Sequence, residues 1–275
     1  EVGFSPTQCS TVEKLLALGL REAVEIDARF PKMMRRVGGY NIDALVPSNK
    51  PINLSHLLVG SEGTLAYSKQ IKIKLSVLPK NKVLGICHFP TFYAAMDATQ
   101  HIIKLGPAAV ELVDRNMIEL ARGIPIFKET VDRFVKDKPD AILLVEFAGD
   151  NLDEQIRDLN RLVELMADLG YPGGVVEAID PNFQKDIWEV RKSGLNIMMS
   201  MKGDGKPISF IEDCAVKLED LAEFTSRLTE IFHAQNTEGT WYAHASVGCL
   251  HVRPIINLKG DIGAKQMREI AEHAF

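Results

Sequence analysis

The sequence predicts an α+β fold: a split βαβ, ferredoxin-like domain with an antiparallel sheet and helices, preceded by a shorter α+β segment. Three observations carry this reading. Apolar runs of strand length occur at 83–89, 109–113 and 141–147, segments at 91–105 and 151–169 repeat apolar residues every three or four positions, and the two kinds alternate as β-α-β twice over. That rhythm is expected to place the helices on one face of the sheet.

The elements follow in order. At the start, Ser10 or Thr11 with Glu13 supplies a capped beginning for a helix over 15–28. A stretch rich in Gly, Asn, Pro and Ser covers 35–51, after which 57–59 reads as a strand running into the tight loop Gly60-Ser-Glu-Gly-Thr64. Ile71, Ile73 and Leu75 alternate with Lys72 and Lys74, the period of a half-buried strand, and 78–82 reads as a linker, which puts the domain division at 80/81. The regular region begins there: a strand at 83–89, a helix at 91–105, a strand at 109–113, helical segments over 115–135 and an apolar strand at 141–147. Asp150 or Asn151 caps a helix carrying Ile156, Leu159, Val163, Met166 and Leu169 until Gly170 ends it. A strand at 208–215 feeds a helix with Leu218, Leu221, Phe224, Leu228 and Phe232 on one stripe; strands at 241–244 and 250–256 and a helix from 264 complete the chain.

Composition narrows the function classes. The chain has 275 residues, 46% hydrophobic and 25% charged, with Lys+Arg 32 against Asp+Glu 37 and a net charge of −5, enough to bury a core and too ordinary for a disordered chain. No apolar run approaches the roughly 20 residues of a membrane-spanning helix. Interspersed acids and bases with a pI near 5.9 give no electrostatic case for a nucleic-acid partner. The four cysteines, Cys9, Cys87, Cys214 and Cys249, are far apart with no CxxC pair, so a reducing cytoplasm is the expected location, with the inner membrane face as a peripheral variant. The chain starts without Met and ends inside a helical pattern, which reads as an excised piece of a longer protein.

Three groups of residues carry chemistry. The glycines of Gly60-Ser61-Glu62-Gly63-Thr64 let a backbone pass close to a bulky anion and the hydroxyls add donors, though a plain glycine turn fits the spacing as well. His244 and His251 flank Gly248 and can converge on one metal, with Cys249 a nearby soft donor; two histidines remain an incomplete ligand set. Arg191, in Trp188-Glu-Val-Arg191, and Lys206 can hold a carboxylate, with Glu212 and Asp213 as further acids; Arg191 equally suits a solvated helix position.

Taken in order, these segments resemble the FAD-linked oxidase family, in its D-lactate, glycolate and D-2-hydroxyglutarate dehydrogenase branch. The stretches are Arg36-Val-Gly-Gly-Tyr-Asn-Ile-Asp-Ala-Leu45, Gly60-Ser-Glu-Gly-Thr-Leu65, Ala109-Val-Glu-Leu-Val-Asp114, Leu143-Leu-Val-Glu-Phe147, Trp188-Glu-Val-Arg191 and the His244 to His251 segment. They look most like long bacterial proteins fusing a flavin dehydrogenase to an iron–sulfur module. The resemblance implies that 1–80 is the C-terminal portion of a FAD-binding domain, with Tyr40, Asn41, Gly60, Ser61, Glu62, Gly63 and Thr64 approaching the flavin nucleotide. It implies that 81–275 is the substrate cap, with Arg191 and Lys206 on a 2-hydroxy acid's carboxylate and His244 and His251 on a divalent metal of zinc or manganese type. Electrons would pass to an iron–sulfur cluster of the parent protein or to a quinone-linked acceptor. The family's usual HxGDGNxH is interrupted by Ser246, Val247 and Cys249. The glycine-rich pyrophosphate loop and the later Glu-His-Gly segment with the family's base lie outside this chain, so no catalytic residue is expected within it and the piece alone is expected to be inactive. The other reading from the residues is a non-catalytic ferredoxin-like module that binds a small acid or metal or serves as an interaction surface.

Overall fold

The computed structural model describes residues 5–35 and 39–275; residues 1–4 and Arg36, Val37 and Gly38, which open the first family-like stretch, lie outside the described residues. The chain divides into two compact units, Glu1–Ser76 and Val77–Phe275.

In the first unit, helix α1 (Pro6–Arg21) starts earlier than expected. Ser5, not Ser10 or Thr11, is its cap: the Ser5 hydroxyl accepts from Gln8 N and the Gln8 side chain accepts from Ser5 N at 2.7 Å, with Pro6 preset for the first helical position. A break at Glu22 separates it from α2 (Ala23–Arg29). Residues expected as a strand at 57–59 belong instead to the helical turn α3 (Ser55–Leu58), closed by Val59. The alternating Ile71, Ile73 and Leu75 form no strand among the described residues and are 72%, 72% and 79% exposed. Alternation makes a strand only when a neighbour completes its hydrogen-bond ladder, and within this unit none does.

The second unit contains β1 (Asn81–Phe89), α4 (Phe92–Ile102), β2 (Ala109–Asp114), α5 (Arg115–Arg122), α6 (Pro125–Phe134), β3 (Ala141–Gly149), α7 (Leu152–Asp168) and β4 (Val175–Ala178). It continues through α8 (Pro181–Lys192), α9 (Gly194–Met199), β5 (Lys206–Pro207), β6 (Ile211–Ala215), α10 (Leu221–Ala234), β7 (Gly239–His244), β8 (Cys249–Ile256) and α11 (Asp261–Ala274). The caps are local: Thr91 accepts from Ala94 N before α4, and Asn151 from Asp153 N before α7. The strand expected over 208–215 is split and shortened: Lys206 and Pro207 pair with the far end of β8, and Ile211, Glu212, Cys214 and Ala215 pair with its beginning.

Strand order is β4-β1-β3-β2-β7-β8-β5, with β6 also paired to β8, and every pairing is antiparallel. The first four strands, in order 4-1-3-2 with α4 and α7 as the crossovers, form the split βαβ sheet; β7 and β8 extend it past β2. Helices cover both faces, not one. Alternate strand residues enter two cores: Val83, Cys87, Leu112, Leu143 and Val145 join α4, α7, α10 and α11, while Leu84, Ile86, Val113, Ile142 and Leu144 join α5, α6, α8 and α9. The reason is in the strands, which are apolar at both parities and so need cover on both sides.

Asp114 ties the sheet to α5. Its carboxylate accepts Met117 N and Trp241 N, both at 2.9 Å, and burial pushes its pKa up to about 7 against the pull of those bonds. The folded chain therefore holds a proton that the unfolded chain has released between pH 3.8 and about 7. This contribution is fully present below the lower limit and is lost as pH rises through the upper one, with a span of about 4 kcal/mol at most. In urea titrations at pH 5 and pH 8, Asp114→Asn should show a smaller stability difference between the two conditions than the native sequence. Equal differences would remove Asp114 as the source.

A candidate substrate and metal site on the extended sheet

The second sheet face changes character where β2 meets β7 and β8. Period-two alternation sends Trp241 and Ala243 into one core and turns Tyr242 and His244 to the other side. The register sets His251 opposite Tyr242 and Glu111 opposite His244. Gly248, at φ +65°, turns β7 into β8 after a short helical turn over Ala245–Val247, which brings the two histidine rings to 5.3 Å, edge to face.

Two carboxylates organise this face in the same way. Glu111 Oε1 accepts from His244 Nδ1 at 2.8 Å, while its Oε2 accepts from Arg191 Nη2 at 2.7 Å. Glu212 Oε2 accepts from His251 Nδ1 at 3.0 Å, while its Oε1 accepts from Arg253 Nε at 2.6 Å. A carboxylate paired to a guanidinium is an acceptor only, so each Nδ1 carries the proton and each Nε2 lone pair points away from the carboxylate. Tyr242 lies between the two sets: its ring stacks on His251 at 4.7 Å, Arg191 lies over it at 5.1 Å and Arg253 at 5.9 Å, and its hydroxyl accepts from Arg253 at 3.3 Å. Burial would raise Glu212, but the His251 hydrogen bond and the Arg253 charge outweigh it and hold its pKa below the usual value. Burial raises the Tyr242 hydroxyl.

Helix α8 brings Arg191 to this face. Its Trp188 Nε1 donates to Glu146 Oε2 at 3.1 Å and Glu146 also binds Lys82 at 2.8 Å, so the two acids of β3 and β2 receive donors spaced three residues apart on one helix. Arg191 Nε is buried with no hydrogen-bond partner among the described residues, so the guanidinium is held at this face by its Glu111 bond while one of its donors is left without an acceptor.

A family model described as FAD linked oxidases, C-terminal domain, matches residues 78–275. The chain belongs to this family. Among curated relatives it is similar to D-2-hydroxyglutarate dehydrogenase of Haemophilus influenzae, 29% identical over 88% of this chain and 24% of the relative. The Escherichia coli protein of the same name is 30% identical over 83% and 23%, and D-lactate dehydrogenase of Archaeoglobus fulgidus is 27% identical over 86% and 47%. The chain thus spans about a quarter of the length of the first two. Among solved structures, an alkyldihydroxyacetonephosphate synthase shares the fold with a TM-score of 0.56 at 14% identity, over 81% of this chain and 44% of that one.

Within this family member, the residues singled out from sequence are distributed unevenly. His244, His251 and Arg191 meet on one sheet face, but Arg191 is engaged by Glu111 and is not solvated; its side chain is 12% exposed. Lys206 stands apart: it pairs opposite Ile256, five positions along β8 from His251, and its Nζ donates to the Met201 carbonyl. In the first unit, the hydroxyls of the 60–64 loop turn inward. Ser61 Oγ donates to Leu58 O at 2.8 Å and Thr64 Oγ1 to Ser61 O at 2.6 Å, while Tyr40 OH lies 2.9 Å from Thr64 Oγ1 and Asn41 Nδ2 donates to Val59 O at 2.9 Å. Tyr40 and Asn41 thus brace the loop. Gly60, Glu62 and Gly63 have φ of +79°, +51° and +77°, and nothing lies within 4 Å of the place a Cβ would take at Gly63, so the loop backbone is open on that side. Glu111, Tyr242 and Arg253 do not stand out as site residues in the sequence; the available signal is an acid inside the otherwise apolar run Ala109-Val-Glu-Leu-Val. No helix among the described residues is long and apolar enough to cross a membrane, and none of the four cysteines is in a disulfide.

Proposed function

We propose that in a longer protein the second unit is the substrate cap of a flavin-dependent dehydrogenase for a D-2-hydroxy acid of the lactate, glycolate or 2-hydroxyglutarate type. The observation that carries this is the pair of glutamate-bridged Arg–His sets on one sheet face, which supplies charged donors for a carboxylate and lone pairs for a cation. The curated relatives bear the names of such dehydrogenases. Flavin, when bound, supplies the acceptor for the hydride of the hydroxyl-bearing carbon. The first unit is the proposed C-terminal portion of a FAD-binding domain, in which the open backbone of Gly60, Glu62 and Gly63 would hold part of the nucleotide and Ser61, Thr64, Tyr40 and Asn41 keep that loop in shape. Electrons then leave to an iron–sulfur or quinone-linked acceptor.

The residues of the second unit have separate tasks. Arg191 sets its positive charge beside the substrate carboxylate, whereas Lys206, expected from sequence to share that task, stands apart at the β5 edge with its Nζ on the Met201 carbonyl and would act only as a longer-range charge. His244 and His251 would hold a divalent cation through Nε2, and this fits their donor chemistry, because a carboxylate on the far nitrogen fixes the ring and strengthens the ligand. Such a cation would lower the cost of removing the substrate's hydroxyl proton. Glu111 and Glu212 keep both rings in the required tautomer. Tyr242 walls the face and keeps the guanidiniums apart.

The test is a longer chain that includes the flanking sequence on both sides. It is expected to purify yellow and to reduce an artificial acceptor with a D-2-hydroxy acid. In that protein Arg191→Met should lower kcat/KM about 10- to 100-fold, mostly through KM, the worth of one hydrogen bond to a charged group. A longer chain that stays free of flavin would favour the non-catalytic module.

A further inference from the structure

Two imidazoles do not complete a cation site, which ordinarily takes three or four protein ligands. Among the described residues one set of three metal-type donors gathers within reach of a single ion: a carboxylate oxygen of Asp213, Cys249 Sγ and a ring nitrogen of His251 all lie within 4.8 Å of one another. Ligands of a tetrahedral zinc ion at about 2.0–2.3 Å lie roughly 3.3–3.8 Å apart, so the three atoms need to draw in by no more than about 1.5 Å to hold one ion. The fold builds this set from two strands. Cys249 and His251 are alternate residues of β8 and share its face, while β6 bulges between Glu212 and Cys214, so that Asp213 falls outside the register with φ +57° and its Oδ1 stands 3.2 Å from His251 Nδ1. A bulge re-aims the side chain of the extra residue, and aspartate is among the few residues that accept this conformation.

The local charge agrees. Three carboxylates (Glu111, Glu212, Asp213) face two guanidiniums (Arg191, Arg253), each guanidinium being matched to one glutamate. Asp213 is the acid left over, and its side chain is 62% exposed, open to an incoming ion.

We propose that Asp213, Cys249 and His251 form the thiolate-containing core of the divalent-cation site, which makes the site selective for zinc over manganese or magnesium. This rests on the reading that the face carries a cation, and it changes which residues complete it. In this set His251 ligates through Nδ1, the nitrogen beside Asp213, in place of the Nε2 assigned above: its proton moves to Nε2, and Cys249 binds as thiolate and releases its proton to solvent when the ion enters. A soft sulfur donor beside an imidazole favours zinc and cobalt(II), whereas manganese prefers oxygen-rich sets.

The 275-residue chain itself serves for the test, kept reduced and titrated with cobalt(II), zinc and manganese. Cobalt(II) should produce a near-ultraviolet thiolate-to-metal charge-transfer band, which histidine and carboxylate ligands cannot give. Cys249→Ser should abolish the band, Cys249→Ser and Asp213→Asn should each weaken zinc binding at least about tenfold, the cost seen even for outer-shell partners, and manganese should bind at least about tenfold more weakly than zinc. The band in the native chain is read without any variant, so poor folding of one substitution does not decide the outcome. Absence of the band, or its persistence in Cys249→Ser, overturns the proposal. His244→Ala separates the two readings. If His244→Ala abolishes zinc binding while Cys249→Ser leaves it intact, the histidine pair stands and the thiolate core falls. If His244→Ala keeps both binding and band, the thiolate core stands without the second histidine.

Discussion

Gly248→Ala is expected to cost more than about 3 kcal/mol and to disorganise the candidate site. Gly248 sits at φ +65°, and a Cβ there would lie 1.9 Å from the Val216 carbonyl oxygen. The left-handed conformation alone costs roughly 1–2 kcal/mol for an ordinary residue. Relief of the clash must move the backbone that accepts and donates around it, including the Val216 N to Gly248 O bond of 2.9 Å, and a lost buried backbone bond adds about 1–3 kcal/mol. The register between His244 and Cys249 is set at the same turn, so the loss should also separate the two histidines. Urea unfolding measures the first effect and cobalt(II) binding the second. A variant within about 1 kcal/mol of the native chain, with metal binding intact, would show that the loop relaxes freely and is not held by Val216.

The second large effect is expected at Glu111. Its side chain is 13% exposed and Arg191's is 12%, so the pair is nearly withdrawn from water. Removing one member of such a pair strands a charge and costs about 3–5 kcal/mol, whereas replacing both with apolar residues costs far less. Glu111→Ala should therefore destabilise the second unit by that amount, and Arg191→Met combined with Glu111→Leu should recover much of it. Denaturant midpoints for the two single variants and the double variant give the coupling directly. A double variant as unstable as the sum of its parts would mean that Glu111 and Arg191 act independently, against the geometry. By contrast Arg227→Ala, which removes the Glu223 pair on the exposed face of α10, should leave the midpoint unchanged within error, because exposed pairs of this kind contribute little.

Both effects concern residues whose importance differs sharply in visibility. Gly248 stands between two histidines in a short segment, so a tight turn is readable there from spacing alone. Glu111 is an acid in an apolar strand, and nothing local names its partners: Arg191 is 80 residues away and His244 is 133. The third acid of the face, Asp213, is seen as exposed or functional only once the β6 bulge is known, and a bulge is set by the pairing of two strands and not by either one.

Local periodicity fixed most of the second unit because its strands and helices each carry their own pattern of apolar residues, and the order of those patterns was enough to imply the split βαβ sheet. The same logic failed at 71–75, where alternation has no neighbouring strand within its unit, and at 57–59, where a short apolar run closes a helical turn. It also missed the second helical layer, although strands apolar at both parities announce one. The sequence by itself determined the family, the sheet's antiparallel core and the residue types available for chemistry. Only the tertiary structure decided that two glutamates each join an arginine to a histidine, that Lys206 stands away from them, and that Asp213, Cys249 and His251 share one small space. Side-chain chemistry is local to a residue, but the distance between two side chains is a property of strand register and helix docking, which the whole chain sets together.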